Sequence, residues 1–144
     1  MREIIGDIWE FHKQGNWIVV PTNGSLNSKG EAIMGKGLAL EAKRRLPDLP
    51  QWLGLRISTE GNSVFGNSKY HLFTFPTKHD WKKMADLSLI KESAKGLAFT
   101  RIAGTIYLPR VGCGNGGLNW EDVKPVLEKY LDDRFMVTVV EVRQ

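Results

Sequence analysis

Three polar, glycine-bearing stretches hold the residues best suited to chemistry. The first reads Pro109-Arg110-Val111-Gly112-Cys113-Gly114-Asn115-Gly116-Gly117-Leu118, with four glycines in six positions. Glycine admits left-handed backbone and lets a ligand approach main-chain N–H groups closely. Between a strand and a helix, such a loop can cradle a phosphate through those N–H groups and the helix N-terminus. The alternative is a mobile surface turn. No Gly-Lys-Ser/Thr follows, so it is not a Walker loop, and it is a poor dinucleotide fingerprint because no acid follows a second strand at the expected distance. Cys113 has no assignable base partner and reads as a packing residue. The second stretch runs from Pro21 to Gly37. Asn23, at a strand end, can both donate to and accept from a sugar hydroxyl, or serve as a turn residue. Gly35 and Gly37 again permit close approach, whereas Lys36 by itself reads as a solvated side chain. The third is Pro76-Thr77-Lys78-His79-Asp80-Trp81-Lys82-Lys83. A lysine just past a buried strand can face the same cleft as the two glycine loops, where partial desolvation would favour the neutral amine, and this makes Lys78 a candidate nucleophile or acid/base. The alternative is a lysine in a basic surface patch. Trp81 lies close enough in sequence to border a ligand beside it. Near the start, Gly6-Asp7-Ile8 places a carboxylate at the end of a weak strand. It can accept from the exocyclic amine of a base, or cap a helix.

These positions need a scaffold. Buried strands are predicted at Trp17–Val20, Tyr70–Phe75, Thr105–Leu108 and Met136–Val142, all short, aromatic and β-branched. Weaker strands are expected near Glu3–Ile5 and Ser63–Phe65. One helical face carries Leu38, Ala39, Ala42 and Leu46, ending at Pro47; a second carries Leu87, Ile90, Ala94, Leu97 and Ala98, with Asp86 as cap. The third carries Val123, Val126, Leu127, Tyr130 and Leu131, with Asn119 as cap and Glu121 and Asp122 in the first turn. Pro125 pulls the expected start of that helix toward Asp122, because it lacks an N–H. Strands alternating with helices predict a three-layer α/β/α sandwich with a mixed, largely parallel sheet. Ligands of such folds sit at the carboxyl ends of the strands, where the three stretches lie.

The chain has 144 residues, 42% apolar and 25% charged, with a formal net charge of +4 and neither repeat nor linker. One domain over 1–144 is expected. The single cysteine rules out an internal disulfide and fits a reducing, cytoplasmic setting. The three histidines are scattered, so no cofactor and no metal are expected. No stretch approaches membrane-helix length, and a monomer is expected. The charge favours an anionic ligand mildly and lacks the basic stripe typical of nucleic-acid binders.

Five stretches in register carry a resemblance. They are Gly6-Asp7-Ile8, Ile18-Val19-Val20-Pro21-Thr22-Asn23-Gly24, Met34-Gly35-Lys36-Gly37-Leu38-Ala39-Leu40, Phe75-Pro76-Thr77-Lys78, and Leu108 through Gly114 with Gly116-Gly117-Leu118-Asn119-Trp120. Together they resemble the macrodomains, the ADP-ribose-binding fold, across nearly the whole chain. Met34–Gly37 and Phe75–Lys78 are most similar to the branch holding the DarG antitoxin macrodomain and the terminal ADP-ribose protein glycohydrolase. The resemblance implies removal of mono-ADP-ribose, from a nucleic-acid base as in DarG or from protein. It implies that Asp7 accepts from the adenine amine with the Ile8 N–H in support, and that Asn23 holds the distal ribose. Gly35, Lys36 and Gly37 would line that ribose and the adjoining phosphate. Gly112, Cys113, Gly114, Asn115, Gly116, Gly117 and Leu118 would wrap the diphosphate, and Lys78 would attack the anomeric carbon to give an imine that water resolves. Gly116 and Gly117 stand where the protein glycohydrolase carries an acid, which shifts the analogy toward DarG. The segment between Asn23 and Met34 is longer than in DarG. The alternatives are an ADP-ribose 1″-phosphate phosphatase and a non-catalytic ADP-ribose reader.

Overall fold

The computed structural model describes residues 1–140. Six strands and five helices follow in the order β1 (Arg2–Ile5), α1 (Ile8–Lys13), β2 (Trp17–Asn23), α2 (Gly37–Arg45), α3 (Leu49–Glu60), β3 (Phe65–Asn67), β4 (Leu72–Lys78), α4 (Leu87–Ala98), β5 (Ile106–Leu108), α5 (Trp120–Tyr130) and β6 (Phe135–Val139). The strands form one sheet in the order β1-β6-β5-β2-β4-β3. Every pairing is parallel except the short β3 against β4. The strands alternate their side chains between two apolar layers. Val19, Phe75, Leu108, Phe135 and Val137 pack on one side with Ile90, Ala94 and Leu97 of α4 and Val123 and Leu127 of α5. Ile18, Val20 and Leu72 pack on the other with Ile8 and Trp9 of α1, Ala42 of α2 and Leu49 and Leu53 of α3. The result is the expected α/β/α sandwich.

Two strands outrun their predicted ends, and both carry the site. Prolines 21 and 76 argue for stopping at Val20 and Phe75, since proline cannot donate to a ladder. Instead β2 continues to Asn23 and β4, starting at Leu72 rather than Tyr70, continues to Lys78. The prolines are tolerated because each lies past the end of a neighbouring strand. β5 pairs with β2 only at Trp17 and Ile18. β3 pairs with β4 only from Leu72 to Thr74. The weak strand expected near Ser63–Phe65 is β3, shifted to Phe65–Asn67. The last strand starts at Phe135 and ends at Val139, and positions 141–142 of its predicted span lie outside the described residues.

Helix α5 begins at Trp120 and not near Asp122, and runs through Pro125. Asn119 occupies its cap position without a side-chain cap bond, so the cap role expected of that side chain is not fulfilled. Asp86 does cap α4, accepting from the Ser88 N–H at 2.9 Å. Helices α1 and α3 are absent from the sequence reading. The first has only six residues, too short to show a period, though Asp7 with Glu10 three positions on is a capping signal. The second carries Pro50 as its second residue, in a first turn whose N–H groups are unpaired anyway. No helix among the described residues is long and apolar enough to cross a membrane.

Candidate active site

The parallel register sets Asn23 of β2 beside Lys78 of β4, with an irregularity between Thr22 and Asn23. Fifty-five positions apart in the chain, the two side chains become neighbours at the carboxyl edge of the sheet. They open onto a cavity of about 420 Å³. Its walls are the strand ends (Pro21, Thr22, Asn23, Thr77, Lys78), the start of α2 (Gly35 to Ala39) and the loop after β5 (Pro109, Arg110, Gly112, Gly114, Asn115, Gly116).

Each wall contributes positive potential. Lys36, Lys78 and Arg110 line the cavity, and no carboxylate among the described residues does. Gly37, Leu38 and Ala39 bring in the N-terminus of α2, whose first N–H groups lack helical partners and carry the positive end of the dipole. Across from it, the main-chain N–H groups of Gly114, Asn115 and Gly116 donate to no group among the described residues. Three consecutive free N–H groups make an anion-binding concavity. The turn that holds them is closed by its own backbone, with Cys113 N–H to the Arg110 carbonyl at 3.2 Å, Gly117 N–H to the Gly114 carbonyl at 3.2 Å and Leu118 N–H to the Gly112 carbonyl at 3.0 Å. Gly112 has φ +76°, which a side chain would strain, and a Cβ there would sit 2.7 Å from Cδ1 of Ile90. A Cβ on Gly116 would overlap the Gly112 carbonyl oxygen. The loop is therefore narrow because it lacks side chains.

Lys78 is half-buried, and its Nζ donates to the Asn115 carbonyl at 3.4 Å, which brings the ammonium onto the glycine loop. Asn23 donates through Nδ2 to the Ile33 carbonyl at 3.0 Å and accepts from the Ser25 N–H at 2.9 Å, so it also shapes the long segment that follows it. Thr77 is buried at the cavity floor with its hydroxyl on the Thr22 carbonyl at 3.4 Å. Arg110 lies over the Trp120 ring at 5.2 Å and within 3.7 Å of Glu3. The pull of Lys124, Trp120 and Arg110 holds the Glu3 carboxyl below its ordinary range.

Of the residues singled out from sequence, Asn23, Gly35, Lys36, Gly37, Lys78, Gly112, Gly114, Asn115 and Gly116 converge on this cavity. Cys113, Gly117 and Leu118 belong to the same loop but do not line it. Cys113 and Leu118 pack on the core, and burial pushes the Cys113 thiol pKa up, as suits a packing residue. Asp7 and Ile8 also stand off the cavity wall: Asp7 caps α1 by accepting from the Trp9 N–H at 2.9 Å, and Ile8 is buried beneath. Thr22, Thr77 and Arg110 were passed over, although each sits inside a stretch already marked by its neighbours. Among the described residues no group of three or more His, Cys, Asp or Glu side chains could hold a metal ion.

No protein-family model matches the chain. It is similar to the DNA ADP-ribosyl glycohydrolase of Thermus aquaticus, with 32% identity in an alignment of 135 positions that covers 83% of this chain and 37% of that protein. The chain thus spans 30–37% of the length of the curated relatives it matches. In three dimensions it is similar to the macrodomain of Thermus aquaticus DarG, with a TM-score of 0.71 and 28% identity over 98% of this chain and 97% of that one. The same fold occurs in Thermosipho africanus DarTG in complex with ADP-ribose, at a TM-score of 0.76 and 22% identity over 94% of this chain and 40% of that one. The chain belongs to the macrodomain family, among the DarG macrodomains.

Proposed function

We propose that this protein is a glycohydrolase that releases mono-ADP-ribose from a base of DNA, with Lys78 as the nucleophile. The observation that carries the reading is the half-buried Lys78 amine, set beside Asn23 in a cavity lined by cations and free N–H groups and by no carboxylate. Positive potential from the α2 N-terminus and from Gly114 to Gly116 suits a diphosphate. With no acid lining the cavity among the described residues, an amine is the candidate nucleophile, and Lys78, set beside Asn23 by the strand register, is better placed than Lys36 before the first turn of α2. The relative from Thermus aquaticus bears the name DNA ADP-ribosyl glycohydrolase, and the DarTG relative was solved with ADP-ribose. The first name supports DNA as the carrier and ADP-ribose as the group removed, and the second supports ADP-ribose as the ligand.

In this mechanism the lone pair of the unprotonated Lys78 amine forms a bond to the anomeric carbon. The bond from that carbon to the base breaks, and the base leaves with the electron pair and a proton. Opening of the ribose ring gives a protonated imine on Lys78. Water adds to the imine carbon, the amine departs, and free ADP-ribose results. One water is consumed and the lysine is regenerated. Asn23 holds the ribose hydroxyls, and Gly114 to Gly116 hold the diphosphate. Asp7 and Ile8, past the end of β1 on the far side of β6, take the adenine.

The test is turnover of an oligonucleotide carrying an ADP-ribosylated thymidine. Wild type is expected to release ADP-ribose, and Lys78→Ala to lose on the order of a thousandfold in kcat while binding free ADP-ribose within a few-fold. Borohydride reduction during turnover should leave a covalent adduct on Lys78. Equal turnover by both proteins removes Lys78 from the mechanism. Binding without turnover on any linkage selects a reader.

A further inference from the structure

Directly after Lys78 the chain makes a turn whose outward side chains are an odd choice for a solvated surface. Trp81, Lys82, Lys83 and Met84 are exposed in succession, Trp81 at 41% and Met84 at 63%. Their backbone is nevertheless pinned. The Trp81 N–H donates to Ser25 Oγ at 3.1 Å, the Lys82 N–H to Asp80 Oδ1 at 3.0 Å and the Lys83 N–H to the Asp80 carbonyl at 3.1 Å. Beyond them the Ala85 N–H reaches the Gly116 carbonyl at 2.9 Å and the Asp86 N–H the Thr77 carbonyl at 2.8 Å. None of these bonds uses the side chains of residues 81 to 84. The turn is thus held by its backbone while its four side chains make no hydrogen bond among the described residues, which is the arrangement of a preorganised contact surface.

The chemistry of those side chains is specific. Trp81 reaches the cavity wall, and Lys82 Nζ lies 5.5 Å from its ring centre. An aromatic plane with an ammonium beside it, and a second lysine next in the chain, suits a stacked base with its phosphate, and stacking of this kind is tolerant of sequence. The nearby acids are engaged: Asp80 accepts from Ser25 and the Lys82 N–H, and Asp86 from His79 and the Ser88 N–H.

We infer that the Asp80–Lys83 turn is a landing for the single-stranded DNA next to the modified nucleotide, with Trp81 stacking the neighbouring base and Lys82 and Lys83 holding its phosphates. This rests on the glycohydrolase reading above and adds to it how the polynucleotide, as distinct from the ADP-ribose, is recognised.

The test compares an ADP-ribosylated thymidine in a short single strand with the same modified nucleoside alone. The readout is the ratio of the two kcat/KM values. Trp81→Ala and the double variant Lys82→Ala/Lys83→Ala should each lower that ratio about tenfold, and Trp81→Phe should keep most of it. The double variant should also flatten the salt dependence of log kcat/KM for the strand by about 1.4, for two lost phosphate contacts. A ratio unmoved by Trp81→Ala overturns the landing, as does an equal loss on both substrates. If the wild type hydrolyses neither substrate, the glycohydrolase reading has failed. The landing is then judged by fluorescence anisotropy with an unmodified thymidine oligonucleotide. Tighter binding by wild type than by the two variants upholds it, and equal binding overturns it.

Discussion

The loop from β2 to α2 and the loop from β5 to α5 both reach the cavity and both are rich in glycine, yet they hold their shapes by different means. In the first, asparagines stand in for backbone partners. Asn23 bonds the Ile33 carbonyl and the Ser25 N–H, and Asn27 accepts from the Lys29 and Glu31 N–H groups at 2.9 and 3.0 Å. Ala32 and Met34 are buried, and the Ala32 N–H donates to the Pro50 carbonyl at 2.9 Å, which docks the loop on α3. In the second, main-chain bonds close the turns, and the tightness comes from missing side chains at Gly112 and Gly116. One wall of the cavity is written in side-chain chemistry, the other in backbone. The same kind of substitution should therefore act differently in each.

Gly116→Ala is expected to have the largest effect. Its Cβ would collide with the Gly112 carbonyl, which cannot swing away as a flexible side chain can. Displacing the three free N–H groups should weaken ADP-ribose binding by roughly thirty- to a hundredfold, two or more hydrogen bonds at about 1 kcal/mol each. Calorimetry with free ADP-ribose checks it; unchanged affinity would mean that the backbone wall does not hold the ligand. Next comes Gly54→Ala on the far side of the other loop. In a helix interior this exchange normally stabilises by up to about 1 kcal/mol. Here the Cβ would strike the Gly30 carbonyl, and overpacking at about 1–3 kcal/mol should win. A raised Tm would break the contrast, because it would show the first loop to be undocked.

A smaller effect concerns the third segment at the cavity, the one that follows Lys78. The His79 ring and then the Ser88 N–H hold the Asp86 carboxyl below the ordinary carboxylate range. A pKa lowered in the folded state contributes stability above the unfolded value of about 4 and loses it as pH falls through the folded value. The Tm gap between wild type and Asp86→Asn should thus be widest above that pH and close in more acidic buffer. The smallest effect on stability is expected for Gly114→Ala, where a Cβ meets nothing within 4 Å. Its Tm should match wild type, so any loss in ADP-ribose affinity would report ligand approach to that backbone.

The parts of this molecule legible in the sequence are those with a local period. The buried faces of α4 and α5 follow helical spacing, so Ile90, Ala94, Val123 and Leu127 were recognisable as core. The glycine loop was recognisable by density. The adjacency of Asn23 and Lys78 was not, since register between parallel strands is set by packing across the sheet and leaves no local mark. The strand ends were missed because proline counts against a ladder in sequence, whereas Pro21 and Pro76 escape that cost by lying beyond β5 and β3. Asp7 is the instructive ambiguity. Both of its readings began from a carboxylate at a strand end, and the cap bond to Trp9 is what the fold displays.

The order of the sheet has a consequence for how the chain is made. β1 and β2 are neighbours in sequence, but β6 and β5 lie between them, and β5 begins about a hundred residues after β1 ends. During translation the ribosome therefore releases the outer strand long before its partner exists. Ile4 and Ile5 must wait, unpaired, until Phe135–Val139 clears the exit tunnel. Any stall before that point leaves an open edge on an incomplete sheet, so the burden on chaperones should rise with slow codons between those for β5 and β6.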